Sequence, residues 1–294
     1  MEWDAAAGVE IVRVAGWGRH EWLRHGFSTR GGGVSTVYSM GSGELNLGWT
    51  KEDDPACVRE NRGRFLRLAS GEMSGNRGMR MMVNVRQVHG NLVRVIRGED
   101  GVFEGRLESA EGKAVLEGDG LVTDVPGVML GVGTADCVPV LVVDVEKRAV
   151  GAFHAGWRGT AVGIVGEGIE AMRREYGARP EDLRAAVGPS IGACCYAVGE
   201  EVRSKFRERF GYVDELFREL ADLGQGGAVS KLYVDLWEAN RRQLVDAGVD
   251  GARIAVVGEC TACAREATGE RRYFSHRAEQ GVAGRMLNVI GMAE

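Results

Sequence analysis

The chain is poor in histidine. Its 294 residues hold five, so each can be weighed on its own. It has no run of basic residues longer than three. Phosphate backbones are gripped by a concentrated cationic face, and a net charge of -5 makes nucleic acid an unexpected partner. No apolar stretch approaches the roughly 20 residues a membrane helix needs. Residues 1–16 lack the basic start and apolar core of a secretory signal. The expectation is a cytoplasmic protein that touches no membrane. The six cysteines are unevenly spaced and make no disulfide framework. In a reducing compartment such residues are free thiols, metal ligands or catalytic groups.

What is present is a core. The apolar fraction is 44% and the charged fraction 27%, as in soluble globular proteins. The length allows one large domain or two small ones. Three polar stretches interrupt the chain: Gly71–Arg80, Arg97–Gly120 and Ala221–Ser230. The second is acidic and reads as an exposed excursion. None is long enough for a domain linker, and no internal repeat appears, so one domain over residues 1–294 is expected.

The middle is the most readable part. Short valine-rich runs at Gly127–Thr134, Cys137–Val145 and Ala149–Ala155 predict strands. Val162, Val165, Ile169 and Met172 recur at helical spacing, and Gly177 is a suitable stop. Val202, Phe206 and Phe210 predict a second helix, Asp235–Gly248 a third, and "LRAAVGP" and "ARIAVVG" two more strands. Strands and helices alternate, but two central strands share a tight turn. That pattern predicts an α/β protein with mixed sheets.

A fold at Glu146–Lys147 would bring Pro139 opposite His154. Cys137 would then be a diagonal neighbour of His154, about 7–8 Å away at the backbone. Their side chains could meet on one ion, with Zn–S about 2.3 Å and Zn–N about 2.0 Å. A register shift of one residue would turn one of them away. A third ligand is needed, and spacing alone does not choose among His89, His20, His25 and His276. His89 sits in "VNVRQVHGNLVRV", an alternating run interrupted by Gly90.

"RQVHG", "TADCVPVLV", "HAGWRGT" and "VGPSIGACCYAVGEEV" resemble the laccase-domain (multi-copper polyphenol oxidase, YfiH) family, which is associated with purine nucleoside phosphorylase activity. "HGFSTRGGGVS", "LNLG", "DLWEANRRQL" and "YFSHRAEQGVAGRM" extend the likeness over about residues 25–290. The resemblance implies a single domain of α/β/β/α layers and one zinc held by His89, Cys137 and His154. Two histidines and one cysteine leave a position open, the pattern of a catalytic site. The C-terminal "FSHRAEQG" departs from the family, which usually has a tyrosine at His276 and an arginine at Ala278.

Other residues follow from their settings. Arg158 offers a fork of donors suited to phosphate, and a helix beginning at Gly159–Thr160 would favour an anion. Arg30, in the glycine loop "STRGGGVS", is a second expected anion ligand. Asn46 is expected to bond substrate. Gln87, two before His89, would share its face in a strand and line the pocket. Asp136 is expected to act as general acid/base, or to orient His89. Cys194 and Cys195 read as structural thiols, and the CxxC of Cys260 and Cys263, with no second pair in sequence, as incidental.

The implied reaction is zinc-dependent phosphorolysis of adenosine, inosine, guanosine or methylthioadenosine by phosphate, with adenosine deamination beside it. The alternatives are phenol oxidation with copper, peptidoglycan-precursor editing, and a non-catalytic metal-stabilised binding protein. Laccase chemistry needs several coppers and many histidines, which five cannot supply. A monomer is expected.

Overall fold

The computed structural model describes residues 1–38, 43–71, 79–222 and 229–294. In chain order the elements are β1 (Glu2–Ala6), β2 (Val9–Arg13), β3 (Leu23–Ser28), β4 (Gly31–Ser35), α1 (Pro55–Ala69), β5 (Met81–Asn84), β6 (Val93–Ile96), β7 (Gly120–Thr123), β8 (Val128–Thr134), β9 (Val138–Asp144) and β10 (Ala149–Ala155). Then come α2 (Trp157–Val162), α3 (Ile164–Tyr176), β11 (Leu183–Val187), β12 (Ala197–Val198), α4 (Glu200–Arg207), α5 (Val213–Leu216), β13 (Phe217–Asp222), β14 (Val229–Val234), α6 (Leu236–Asp246), β15 (Ile254–Val256) and β16 (Met286–Met292).

Two six-stranded sheets form the centre, in the orders β1-β2-β3-β16-β8-β5 and β15-β11-β9-β10-β7-β6. Both are mixed. The pairs β5–β8, β6–β7 and β11–β15 are parallel, and the other pairs in these sheets are antiparallel. Side-chain alternation explains the layers. Leu141, Val143, Val150 and Ala152 face Phe27, Leu130, Val132 and Ile290 of the other sheet. The opposite faces of β9 and β10, with Val140, Val142 and Phe153, meet Ile169 and Met172 of α3 and Leu244 of α6. Phe65 and Leu68 of α1 cover the outer face of the first sheet, against Ile11, Met129 and Val289. The expected α/β/β/α stack is therefore the observed one. Strands covered on both faces read as unbroken apolar runs, which is why β9 and β10 are so legible. No helix among the described residues is long and apolar enough to cross a membrane.

The central hairpin turns where expected. Asp144 Oδ1 accepts from the N–H groups of Glu146 and Lys147 at 2.9 Å each, an aspartate-built turn. His154 then pairs with Pro139.

Several expectations change. The helix after "FHAG" starts at Trp157, so Gly159 and Thr160 lie inside it rather than at its head. It breaks at Gly163, with φ 83°. "VNVRQVHGNLVRV" is not one strand: β5 and β6 belong to different sheets, and His89 rides the crossing. The acidic stretch Arg97–Gly120 is anchored rather than loose. Val102 is fully buried, and Phe103, Leu107 and Leu116 pack on the core between the sheets. The ends of the expected loop Ala221–Ser230 belong to β13 and β14, and its centre lies outside the described residues, as does most of Gly71–Arg80.

Candidate metal centre

Three pieces of chain converge where the two large sheets exchange strands. The crossing from β5 to β6 carries His89, that from β8 to β9 carries Asp136 and Cys137, and β10 delivers His154. His89 has φ 61° and Asp136 φ 92°, left-handed values uncommon for residues with a Cβ. Such strained positions cluster at functional sites. Gly156 must stay bare: a Cβ there would lie 3.0 Å from Cys137 Sγ and 3.1 Å from His89 Cδ2.

The donor atoms of His89, Cys137 and His154 all lie within 4.8 Å of one another. The two imidazoles meet edge to face with centroids 4.8 Å apart, and both hydrogen-bond the Cys137 sulfur. His154 is buried, Cys137 half-buried and His89 exposed, so the cluster opens to solvent on the His89 side.

A residue not foreseen from the sequence organises the group. Asp119, fully buried, takes the Nδ1 of His154 on Oδ1 at 2.8 Å. The same oxygen accepts the His89 N–H at 2.9 Å, and Oδ2 accepts the Gly90 N–H at 2.7 Å. One carboxylate thus fixes the ring of one candidate ligand and the backbone of another. Burial alone would raise its pKa, but the bonds from His154, Gly90 and His89 outweigh it and hold the carboxyl below its ordinary value. The role of orienting His89, foreseen for Asp136, is met by Asp119.

The same balance acts on the donors. Burial pushes the Cys137 thiol up, but the charge on His154 and the bonds from both imidazoles bring it down to about 6. Burial pulls His154 down, but the Cys137 thiolate and Asp119 raise it to about 9. The two titrate as a pair, and in the metal-free site the favoured state near neutrality is thiolate with imidazolium. Two imidazoles and a thiolate, one ring braced on a carboxylate, suit a borderline-soft transition metal with a position left open.

The remaining expected site residues are dispersed. Arg158 is exposed, stacked 4.4 Å over Trp157, in a cleft of about 510 Å³ that Tyr196, Lys231 and Arg277 also line. Asp136 is nearly buried, and its oxygens accept from Thr261 Oγ1 at 2.7 Å and the Arg277 N–H at 2.6 Å. Arg30 lines a cleft of about 800 Å³, with its guanidinium already engaged. Its guanidinium pairs with Glu44, with Glu279 at 2.8 Å and with the Tyr38 carbonyl at 3.0 Å, and two carboxylates would repel phosphate. Asn46 is fully buried. Its amide nitrogen bonds Asp53 at 2.7 Å and its oxygen accepts the Arg285 N–H at 2.9 Å, so it ties segments together. Gln87 is not on a shared strand face with His89. It grips Gly133 through both amide atoms at 2.8 Å and lines a separate cleft of about 210 Å³ with Trp49 and Arg62.

Known proteins share this arrangement of strands. The hypothetical protein YfiH of Bacillus licheniformis superposes with a TM-score of 0.79 at 31% identity, over 98% of each chain. A purine nucleoside phosphorylase of Deinococcus radiodurans is 38% identical over 270 residues, 91% of this chain and 88% of that one. Adenosine deaminase RL5, from an unknown prokaryote, is 39% identical over 183 residues, 62% of this chain and 66% of its own. The family described as multi-copper polyphenol oxidoreductase laccase matches residues 24–293, a span that takes in the His89, Cys137 and His154 crossings and both large sheets, and the chain belongs to it.

Proposed function

We propose that this chain is a zinc-dependent purine nucleoside phosphorylase that also deaminates adenosine. The observation that carries the reading is the His89–Cys137–His154 cluster, braced by Asp119 and open beside exposed His89. The names of relatives support the same chemistry. Zinc, when bound by these three residues, supplies Lewis acidity.

In phosphorolysis, inorganic phosphate attacks C1′ of adenosine, inosine, guanosine or methylthioadenosine. The glycosidic bond breaks, giving a free base and the sugar 1-phosphate. Arg158 binds the phosphate, and its fork of donors matches two of the oxygens. In deamination, water replaces ammonia at C6 of adenosine. Asp136 takes the proton that water sheds and passes it to the departing amine, which leaves as ammonia. The Thr261 hydroxyl and the Arg277 amide each occupy one of its oxygens, a hold that gives a base one fixed orientation.

Incubation with adenosine, with and without phosphate, followed by chromatography, tests the reading. Free adenine and ribose 1-phosphate should form only with phosphate present, and inosine without it. Oxidation of a phenol with copper, turnover of a peptidoglycan precursor alone, or no turnover at all would replace the reading with one of its rivals.

A further inference from the structure

A second set of metal-ligating side chains, distinct from the His89–Cys137–His154 cluster, converges in the fold. Cys194 and Cys195 stand in the loop after β11, Cys260 and Cys263 in the loop after β15. These strands are parallel neighbours, so both loops leave the same end of the sheet. They are laced together: the Thr261 N–H donates to the Ser190 carbonyl at 3.1 Å, and the Ser190 N–H to that of Glu259 at 3.3 Å. The four sulfurs consequently lie within 4.8 Å of one another. The second pair that the CxxC lacks in sequence is supplied by the fold.

The spacing and the surroundings both suit an ion. In a tetrahedron of thiolates about 2.3 Å from zinc, neighbouring sulfurs are about 3.8 Å apart. Cys194 and Cys263 Sγ are separated by 3.7 Å. The N–H groups of Gly192, at 3.2 Å, and Ala262 both point at Cys260 Sγ, as outer partners of a ligating sulfur do. Cys260 is buried on Ile191 and Ala262, whereas Cys194 and Cys263 are exposed and leave an entry path. Four sulfur donors select zinc or iron over magnesium and calcium.

We propose that Cys194, Cys195, Cys260 and Cys263 form a second metal site, a closed tetrathiolate centre for structural zinc. Binding releases the four thiol protons to solvent and involves no redox change. The ion ties the two loops that hold Asp136, through the Ile191 N–H to its carbonyl at 2.9 Å and Thr261 Oγ1 to its carboxylate at 2.7 Å. The proposal stands independently of the phosphorylase reading.

The test is elemental analysis and native mass spectrometry of the full chain, purified under reducing conditions without a metal-affinity tag. Two zinc ions per chain are expected in the wild type and one in each of Cys137→Ser and the Cys260→Ser/Cys263→Ser double variant. Reconstituted with cobalt(II), Cys137→Ser should keep the intense thiolate-to-cobalt charge-transfer bands, and the double variant should lose most of that intensity. Should the double variant not fold, zinc-edge X-ray absorption of the wild type decides. Two occupied sites average about two and a half sulfurs per zinc, and the first site alone about one. A single metal per chain that is lost in Cys137→Ser, an undiminished count in a folded double variant, or a disulfide between any two of the four would overturn the proposal.

Discussion

Asp119 Oδ1 serves the His154 ring and the His89 backbone at once, so a single-atom change there should reach two ligands. Asp119→Asn keeps the volume but loses the charge and offers one acceptor where two stood. Loss of such a partner typically weakens metal binding by about 10–100-fold. Zinc affinity measured against a competing chelator should fall by that factor. An unchanged affinity would remove Asp119 from the site. Asp136→Asn separates two roles for its neighbour. The asparagine oxygen can still accept from Arg277 N–H, and its amide can donate to Thr261 Oγ1, so the loop connection survives. Deamination should drop by about 10²–10⁴-fold and phosphorolysis much less, because phosphate arrives already ionised. Equal losses with metal retained would make Asp136 a positioning group.

At the scale of elements, the join between β10 and α2 packs directly against two of the candidate ligands. Gly156→Ala would set a methyl carbon 3.0 Å from Cys137 Sγ and 3.1 Å from His89 Cδ2. The prediction is reduced metal content and activity, with a thermal midpoint in chelator close to the wild type's, since the clash disturbs ligands rather than core. A drop in midpoint without metal loss would contradict it. This join also shows how far the sequence could be read. The valine runs of β9 and β10, their turn at Glu146–Lys147 and the facing of Pro139 and His154 were all legible, because they are local and periodic. His89 entered only through family resemblance, since its approach depends on a crossing between sheets. Asp119 was hidden in an acidic stretch, with His89 and His154 30 and 35 positions away; only its setting between glycines just before a strand hinted at more. The partners of Arg30 were hidden for a similar reason. Its loop resembles an anion cradle, and the carboxylates that claim it are brought in by tertiary contacts. The four-cysteine cluster joins residues 69 apart in the chain, beyond the reach of any local spacing rule.

Across the whole molecule, pH acts on stability through a histidine remote from the chemistry. His25 is buried beside Trp17, and its Nε2 accepts the Val14 N–H at 2.9 Å. Burial, aided by nearby Arg13, lowers its pKa from 6.5 to about 3. The unfolded chain therefore binds a proton that the folded chain refuses. This penalty is absent above pH 6.5 and grows as pH falls toward 3, by up to about 1.4 kcal/mol per pH unit. His25→Gln can accept the same N–H without titrating. Its unfolding free energy in urea should decline less steeply between pH 6 and 4 than the wild type's, and parallel slopes would refute the assignment.

The crossings that carry His89 and Cys137 each pass from one large sheet to the other. An ion gripping both, and His154 as well, would act as a rivet through two stacked plates. Sheets packed face to face resist separation through their buried side chains, but slide more easily. A rivet at the seam opposes sliding. Stripping the metal should therefore quicken amide exchange at residues 85–92 and 135–137 together, and along the adjoining ends of β5 and β8, while α1, far out on the opposite layer, keeps its protection. Such exchange data would make the cluster a mechanical fastening as well, and the stiffness of the whole stack a property that metal supply could tune.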